Sequence, residues 1–154
     1  MDNSTRTLIT AFLAEYDTLA IATEHEGQPY VTRVFYAERP LQDTGDSLIL
    51  YGTFITTSRK LANLQHNARV GLFIGPPQPT VWLEATAIAH ILSSEEETKQ
   101  VHALLSQKSE VAAAFIARVP IVAVELHITW LRITNVTANP MRTEVTFHTL
   151  HGGK

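Results

Sequence analysis

The 154-residue chain contains no cysteine, which excludes disulfides, thiolate nucleophiles and Cys-ligated zinc. No apolar run approaches the ~20 residues that a membrane-spanning helix needs, and Met1 to Arg6 is polar, without the core of a signal peptide. Charge is sparse as well. Charged residues make up 18% and the formal net charge is −3, so there is no electrostatic footprint for nucleic acid or a membrane surface. Linkers, repeats and low-complexity segments are missing too. These absences describe a soluble, cytoplasmic chain forming one domain over residues 1–154. A hydrophobic content of 45% is enough for a real core.

The apolar pattern switches between helical and strand periods. Leu8, Ile9, Phe12, Leu13 and Tyr16 share a face at helical spacing, which predicts a first helix from about Ser4 to Tyr16. Thr18–Thr23 and Tyr30–Tyr36 flank Glu26-Gly27-Gln28, a hairpin turn. A loop with Pro40, Asp43, Gly45 and Asp46 leads into a strand over Ser47–Thr53. Further strands are expected over Arg69–Ile74, Thr80–Leu92 and Ile121–Ile133. Two helices, to about Ser106 and over Glu110–Arg118, precede Pro120, and the tail from about residue 138 to 154 reads as irregular. Strands in hairpin order with helices inserted, not alternating, argue against a doubly wound sheet. They fit a mainly β (α+β) fold, a six-stranded antiparallel barrel with flanking helices.

Chemistry concentrates at one helix start. Thr57 or Ser58 is a natural N-cap, yet Arg59 and Lys60 follow in the first turn. A helix N-terminus carries partial positive charge, so this placement costs about 0.3–1 kcal/mol. The later helix, opening Ser94-Glu95-Glu96-Glu97, has the acids that the dipole prefers. The basic start is either a solvated turn or a phosphate cradle, in which an anion on the free amides removes the cost.

Other residues are open to two readings. Arg33 lies mid-strand among Val31, Val34 and Phe35, so it faces outward or holds a ligand. Trp82 and Trp130, both on strands, suit the core or a dimer interface, with stacking on a flat bound ligand as the alternative. Glu84 and Glu125 lie in apolar strands and suit salt-bridged or edge-facing carboxylates. Seven histidines offer one close pair, His148-x-x-His151, and its lead-in looks extended where a shared metal needs a helix. No metal site is expected. No nucleophile–base pair stands out, so no catalytic residue is assigned.

The order of elements, with Ser58-Arg59-Lys60, Asn63-Leu64 and Asn67-x-Arg69-Val70 in sequence, resembles the FMN-binding split β-barrel superfamily, the pyridoxamine 5′-phosphate oxidase-like group. The resemblance covers about residues 8 to 92 and is looser through Val122–Val136. It implies a homodimer with FMN at the subunit interface and a flavin-dependent oxidoreductase acting on a small molecule. It implies that Ser58, Arg59 and Lys60, with Thr57 beside them, hold the FMN phosphate. Arg33 and the backbone at Val34 would lie along the flavin ring, with Tyr51, Gly52 and Thr53 on the neighbouring strand. Deazaflavin uses a similar cradle. Related haem-utilisation barrels use a late histidine, which makes His148 or His151 a haem-ligand alternative in a non-catalytic binding, stress-response or sensor module. Two departures set this chain apart from pyridoxamine oxidases proper. Glu38 stands where they carry lysine, and the tail lacks their substrate-phosphate grip, so oxidation of pyridoxamine 5′-phosphate is not expected.

Overall fold

The computed structural model describes residues 1–39, 41 and 47–147. The expected Pro40–Asp46 loop, apart from Leu41, and both His148 and His151 lie outside the described residues. Helix α1 (Asn3–Glu15) starts at Asp2, whose carboxylate accepts from the Thr5 amide at 2.8 Å and the Thr5 hydroxyl at 3.0 Å. This satisfies a helix-start donor that otherwise has no partner. Ile9, Phe12 and Leu13 are buried, but Leu8, expected on the same stripe, is exposed. One residue turns about 100° around the axis, which carries Leu8 past the edge of the buried face.

Strands β1 (Thr18–His25) and β2 (Gln28–Glu38) form the expected hairpin. Its turn residues Glu26 and Gly27 have φ of 50° and 76°, the left-handed pair that a two-residue turn between twisted strands requires. There follow β3 (Ile49–Ile55), α2 (Arg59–His66), β4 (Arg69–Ile74), β5 (Val81–Ile91), α3 (Glu95–Lys108), α4 (Glu110–Ile116), β6 (Ile121–Asn135) and β7 (Arg142–Thr146). The sheet runs β3-β2-β1-β4-β5-β6, and pairing of β3 with β6 closes it into a six-stranded antiparallel barrel.

Strand β6 has 15 residues, about 50 Å of extended chain. It pairs with β5 along most of its length and with β3 through Ile121–His127. Beyond that point β7 takes over, pairing with Trp130–Thr134. This corrects the expectation of an irregular tail. The edge of β6 left free by β3 needs a partner, and Arg142–Thr146 supplies one although its alternation is too short and polar to stand out in the sequence. Among the described residues no helix is long and apolar enough to cross a membrane.

The barrel interior holds Leu19, Ile21, Tyr36, Leu83, Leu126 and Leu131, each at most 2% exposed. A second apolar cluster forms outside the barrel, where Val101, Leu105 and Ala112 of α3 and α4 cover Ala37 and Ala123 with Tyr51 at its margin. The barrel is not zipped evenly. β2 pairs with β1 from Gln28 to Phe35, but with β3 only at Tyr36–Glu38. Past Gly52, β3 leaves β2 and continues along β6 to Ile55. Helix α2 begins just beyond this opening and packs against β1 and β3.

Candidate functional site

Ser58, not Thr57, caps α2: its hydroxyl accepts from the Leu61 amide at 3.4 Å, while Thr57 is exposed. Leu61 and Leu64 are buried, and two side chains tie the helix to β1. Asn63 donates to the Thr23 hydroxyl at 3.0 Å. Asn67 donates to the Glu24 carboxylate at 2.7 Å and accepts from the Arg69 amide at 3.1 Å. The Asn63 and Asn67 positions are therefore structural pins that orient the helix start.

That start carries two cations and no acid in its first turn. The Arg59 guanidinium lies over the Tyr30 ring, 5.2 Å from its centroid, and is exposed. Lys60 is only 9% exposed, with its ammonium 5.5 Å from the Phe54 ring centroid. Among the described residues no carboxylate pairs with either cation. Burial pushes the Lys60 pKa below its ordinary value, because low dielectric disfavours the charged form. On β3 the Thr53 hydroxyl is buried without a hydrogen-bond partner among the described residues. Buried hydroxyls are nearly always bonded, so Thr53 is an unmet demand at the stretch where β3 leaves β2.

The remaining candidates are spread more widely. Val34 points into the barrel and Arg33 points out, exposed, beside a groove of about 300 Å³ formed with Ala20, Phe73 and the Gly75–Pro76 loop. Gly52 is buried where β3 separates from β2. The Tyr51 ring lies on the opposite side of the opening from α2's cations, in the outer cluster under α3. Trp82 is on β5, separated from β2 by β1 and β4, so one chain does not bring it to the opening.

Tyr30 is a residue that sequence reasoning missed. Nothing local signals its contact with Arg59, since hairpin and helix meet only in the fold. His25 and His66 also stack there, with ring centroids 4.2 Å apart.

Of the two readings of Glu84 and Glu125, salt-bridged or edge-facing, the structure shows both carboxylates paired. Glu84 accepts from Arg132 at 2.8 and 2.9 Å, and Glu125 bonds His127 at 2.8 Å. Glu38 is committed to Lys108, whose ammonium also donates to the Leu13 carbonyl at 2.8 Å and lies 4.0 Å from the Tyr36 ring centroid. The Tyr36 hydroxyl donates to the same carbonyl at 2.8 Å. Glu38 thus ties β2 to α1 and α3. Among the described residues no cluster of three or more ligating groups could hold a metal.

A closed antiparallel barrel, opened along one strand pair with a basic helix start at the opening, defines the split-barrel class. The sequence model of the pyridoxamine 5′-phosphate oxidase family matches residues 6–147, and the chain belongs to that family. Solved structures share the fold. A Clostridium acetobutylicum protein related to general stress protein 26 is 14% identical, with 95% of this chain and 96% of that chain covered at a TM-score of 0.69. An FAD-binding protein from Mesorhizobium loti is 19% identical over 90% and 93%, at 0.60. The haem storage protein HutZ from Vibrio cholerae is 20% identical over 79% and 88%, at 0.62. A comparison with curated protein sequences found no match.

Proposed function

We propose that the chain binds FMN at the β2–β3 opening, as a homodimer, and serves as a flavin-dependent oxidoreductase for a small substrate. The observation that carries this reading is the pair Arg59 and Lys60, two cations without a carboxylate partner among the described residues on a helix start that lacks acids, beside the buried and unpartnered Thr53 hydroxyl. Cations at the positive end of a helix dipole are unfavourable, and a phosphate dianion supplies the compensation. Ser58, Arg59 and Lys60 hold the phosphate, with Thr57 at its rim and Tyr30 steadying the Arg59 guanidinium. The Thr53 hydroxyl bonds the ring or ribityl chain, and Arg33 with the backbone of Val34, Tyr51 and Gly52 borders the ring. The flavin, when bound, supplies hydride or electron transfer. The chain fixes its orientation and excludes water.

A second copy completes the site. The outer face of β2, β1 and β4 leaves Val31 65% and Phe73 40% exposed beside Ala20 and Gly71. An apolar face of this kind suits a two-fold interface that shares the burial of a flat ligand. Trp82 contributes to that interface or to the other subunit's flavin. Membership of the oxidase family and likeness to an FAD-binding protein support the flavin reading.

Pyridoxamine 5′-phosphate is not the proposed substrate, because its own phosphate needs a second anion site. Glu38 and Lys108 neutralise each other, and Arg132 is taken by Glu84 and by Glu144 at 3.5 Å. The test is the absorption spectrum of the purified protein and the mass of any ligand released on denaturation. A flavin spectrum with the FMN mass supports the proposal. A Soret band points to haem, and a colourless protein that takes up no FMN overturns it.

A further inference from the structure

A second cavity lies where α3 crosses β3 and β6, on the far side of β3 from the basic helix start. It encloses about 370 Å³, within the range of small-molecule sites. Leu92, Val101 and Leu104 supply its apolar lining, and Tyr51, Arg39, Glu97 and Glu125 supply polar and charged groups. Arg39 follows the end of β2, Glu97 is in the first turn of α3, and Glu125 is on β6. Three separate elements thus bring charge to one concavity.

These charges are not spent on one another. Among the described residues neither Arg39 nor Glu97 has an ion-pair partner. Glu125 uses one carboxylate oxygen for His127 at 2.8 Å, and His90 packs edge-on against that imidazole with centroids 4.7 Å apart. The other Glu125 oxygen is left without a partner among the described residues. The three charged groups line the cavity together with Tyr51. The Tyr51 pKa is raised first by burial, then by Glu125 and Glu97, and is lowered by Arg39.

The charge pattern selects the ligand. A simple anion would meet two carboxylates, and a simple cation would leave Arg39 unpaired. A molecule with both an ammonium and a carboxylate answers all three side chains. We infer that this cavity binds a small aliphatic amino acid, with its ammonium between Glu97 and Glu125 beside the Tyr51 ring, its carboxylate on Arg39, and its side chain against Leu92, Val101 and Leu104. An ammonium beside an aromatic ring gains cation–π attraction in addition to the carboxylates. This inference stands apart from the flavin reading, since it uses none of the α2 cations.

Calorimetric titration of the full-length protein, as purified, with L-leucine tests the inference. Saturable binding is expected, with isoamylamine and 4-methylpentanoate, each lacking one charge, weaker by roughly tenfold or more. Arg39→Gln and Glu97→Gln, both at exposed positions, should each weaken L-leucine by a similar factor while circular dichroism and bound-flavin content stay unchanged. Absence of saturable heat up to about 10 mM L-leucine would overturn the inference. So would either singly charged analogue binding as well as L-leucine, or both variants retaining full affinity.

Discussion

Lys60→Met separates the demands of folding from those of binding. The substitution keeps the aliphatic stem that packs near Phe54 and removes only the charge. The residue is 9% exposed, its ammonium lies 5.5 Å from the Phe54 ring centroid, and no carboxylate pairs with it among the described residues. A cation–π contact contributes about 0.5–2 kcal/mol. Against it stand partial desolvation, which lowers the pKa, and the helix dipole, about 0.3–1 kcal/mol. The net penalty is at most about 1 kcal/mol, so the methionine variant should melt up to about 2–4 °C higher for a chain of this size. With FMN the sign reverses. A lost charge-assisted bond to phosphate, about 1.5–3 kcal/mol, weakens FMN roughly 10- to 150-fold and leaves riboflavin unaffected.

The pH dependence follows from the lowered Lys60 pKa. Between that value and 10.5 the unfolded chain binds more protons than the folded one, so stability rises with pH there and the penalty is complete below it. The methionine variant lacks that slope. Differential scanning fluorimetry of the apo-protein and paired flavin titrations read all three effects. A variant that melts lower and keeps its FMN-to-riboflavin affinity ratio would show that Lys60 is a packing residue and refute the reasoning.

Tyr30→Ala should weaken FMN severalfold by releasing Arg59, with Tyr30→Phe restoring it, since an exposed cation–π contact is worth about 0.5–1 kcal/mol; equal affinities in both variants contradict the contact's role. Glu38→Ala should cost about 2–4 kcal/mol in denaturant unfolding, because it strands the partly buried Lys108, and Glu38→Lys should cost more; a neutral result contradicts the tie. His102 has a buried Nε2 without a partner among the described residues, and burial lowers its pKa from 6.5. The unfolded chain therefore binds more protons below that pH, stability falls on acidification, and His102→Phe should flatten the fall in Tm. Sedimentation should show a dimer, and Val31→Arg with Phe73→Arg on the exposed face should yield monomers that lose flavin; tight flavin binding by a monomer contradicts the shared site.

The parts of the fold visible in the sequence were those fixed locally. The Glu26-Gly27 turn, the Ser94 and Ser58 caps and the strand Arg69–Ile74 rest on a few adjacent residues and lie where their patterns put them. Strand β7 was hidden because its reason to form is the free edge of β6, which exists only once the barrel has closed. The basic helix start was legible because the conflict between Arg59, Lys60 and the helix dipole is itself local. The burial of Lys60, the unpartnered Thr53 hydroxyl and the Tyr30 contact depend on where β3 parts from β2, and no residue spacing encodes that. Tyr51 shows the limit from the other side. Its position next to Gly52 and Thr53 suggested a common site, yet α3 packs over its ring and puts it in a different cavity.

The central claim is that a phosphate-bearing flavin compensates the cations at the start of α2. Stripping the protein of ligand and titrating it with FMN and riboflavin in parallel, by quenching of flavin fluorescence, tests that claim most directly. The account predicts that FMN binds tighter by roughly two to four orders of magnitude, the worth of about two charge-assisted bonds, and that Arg59→Ala with Lys60→Met removes the difference. Equal affinity of the unaltered protein for the two flavins would contradict it.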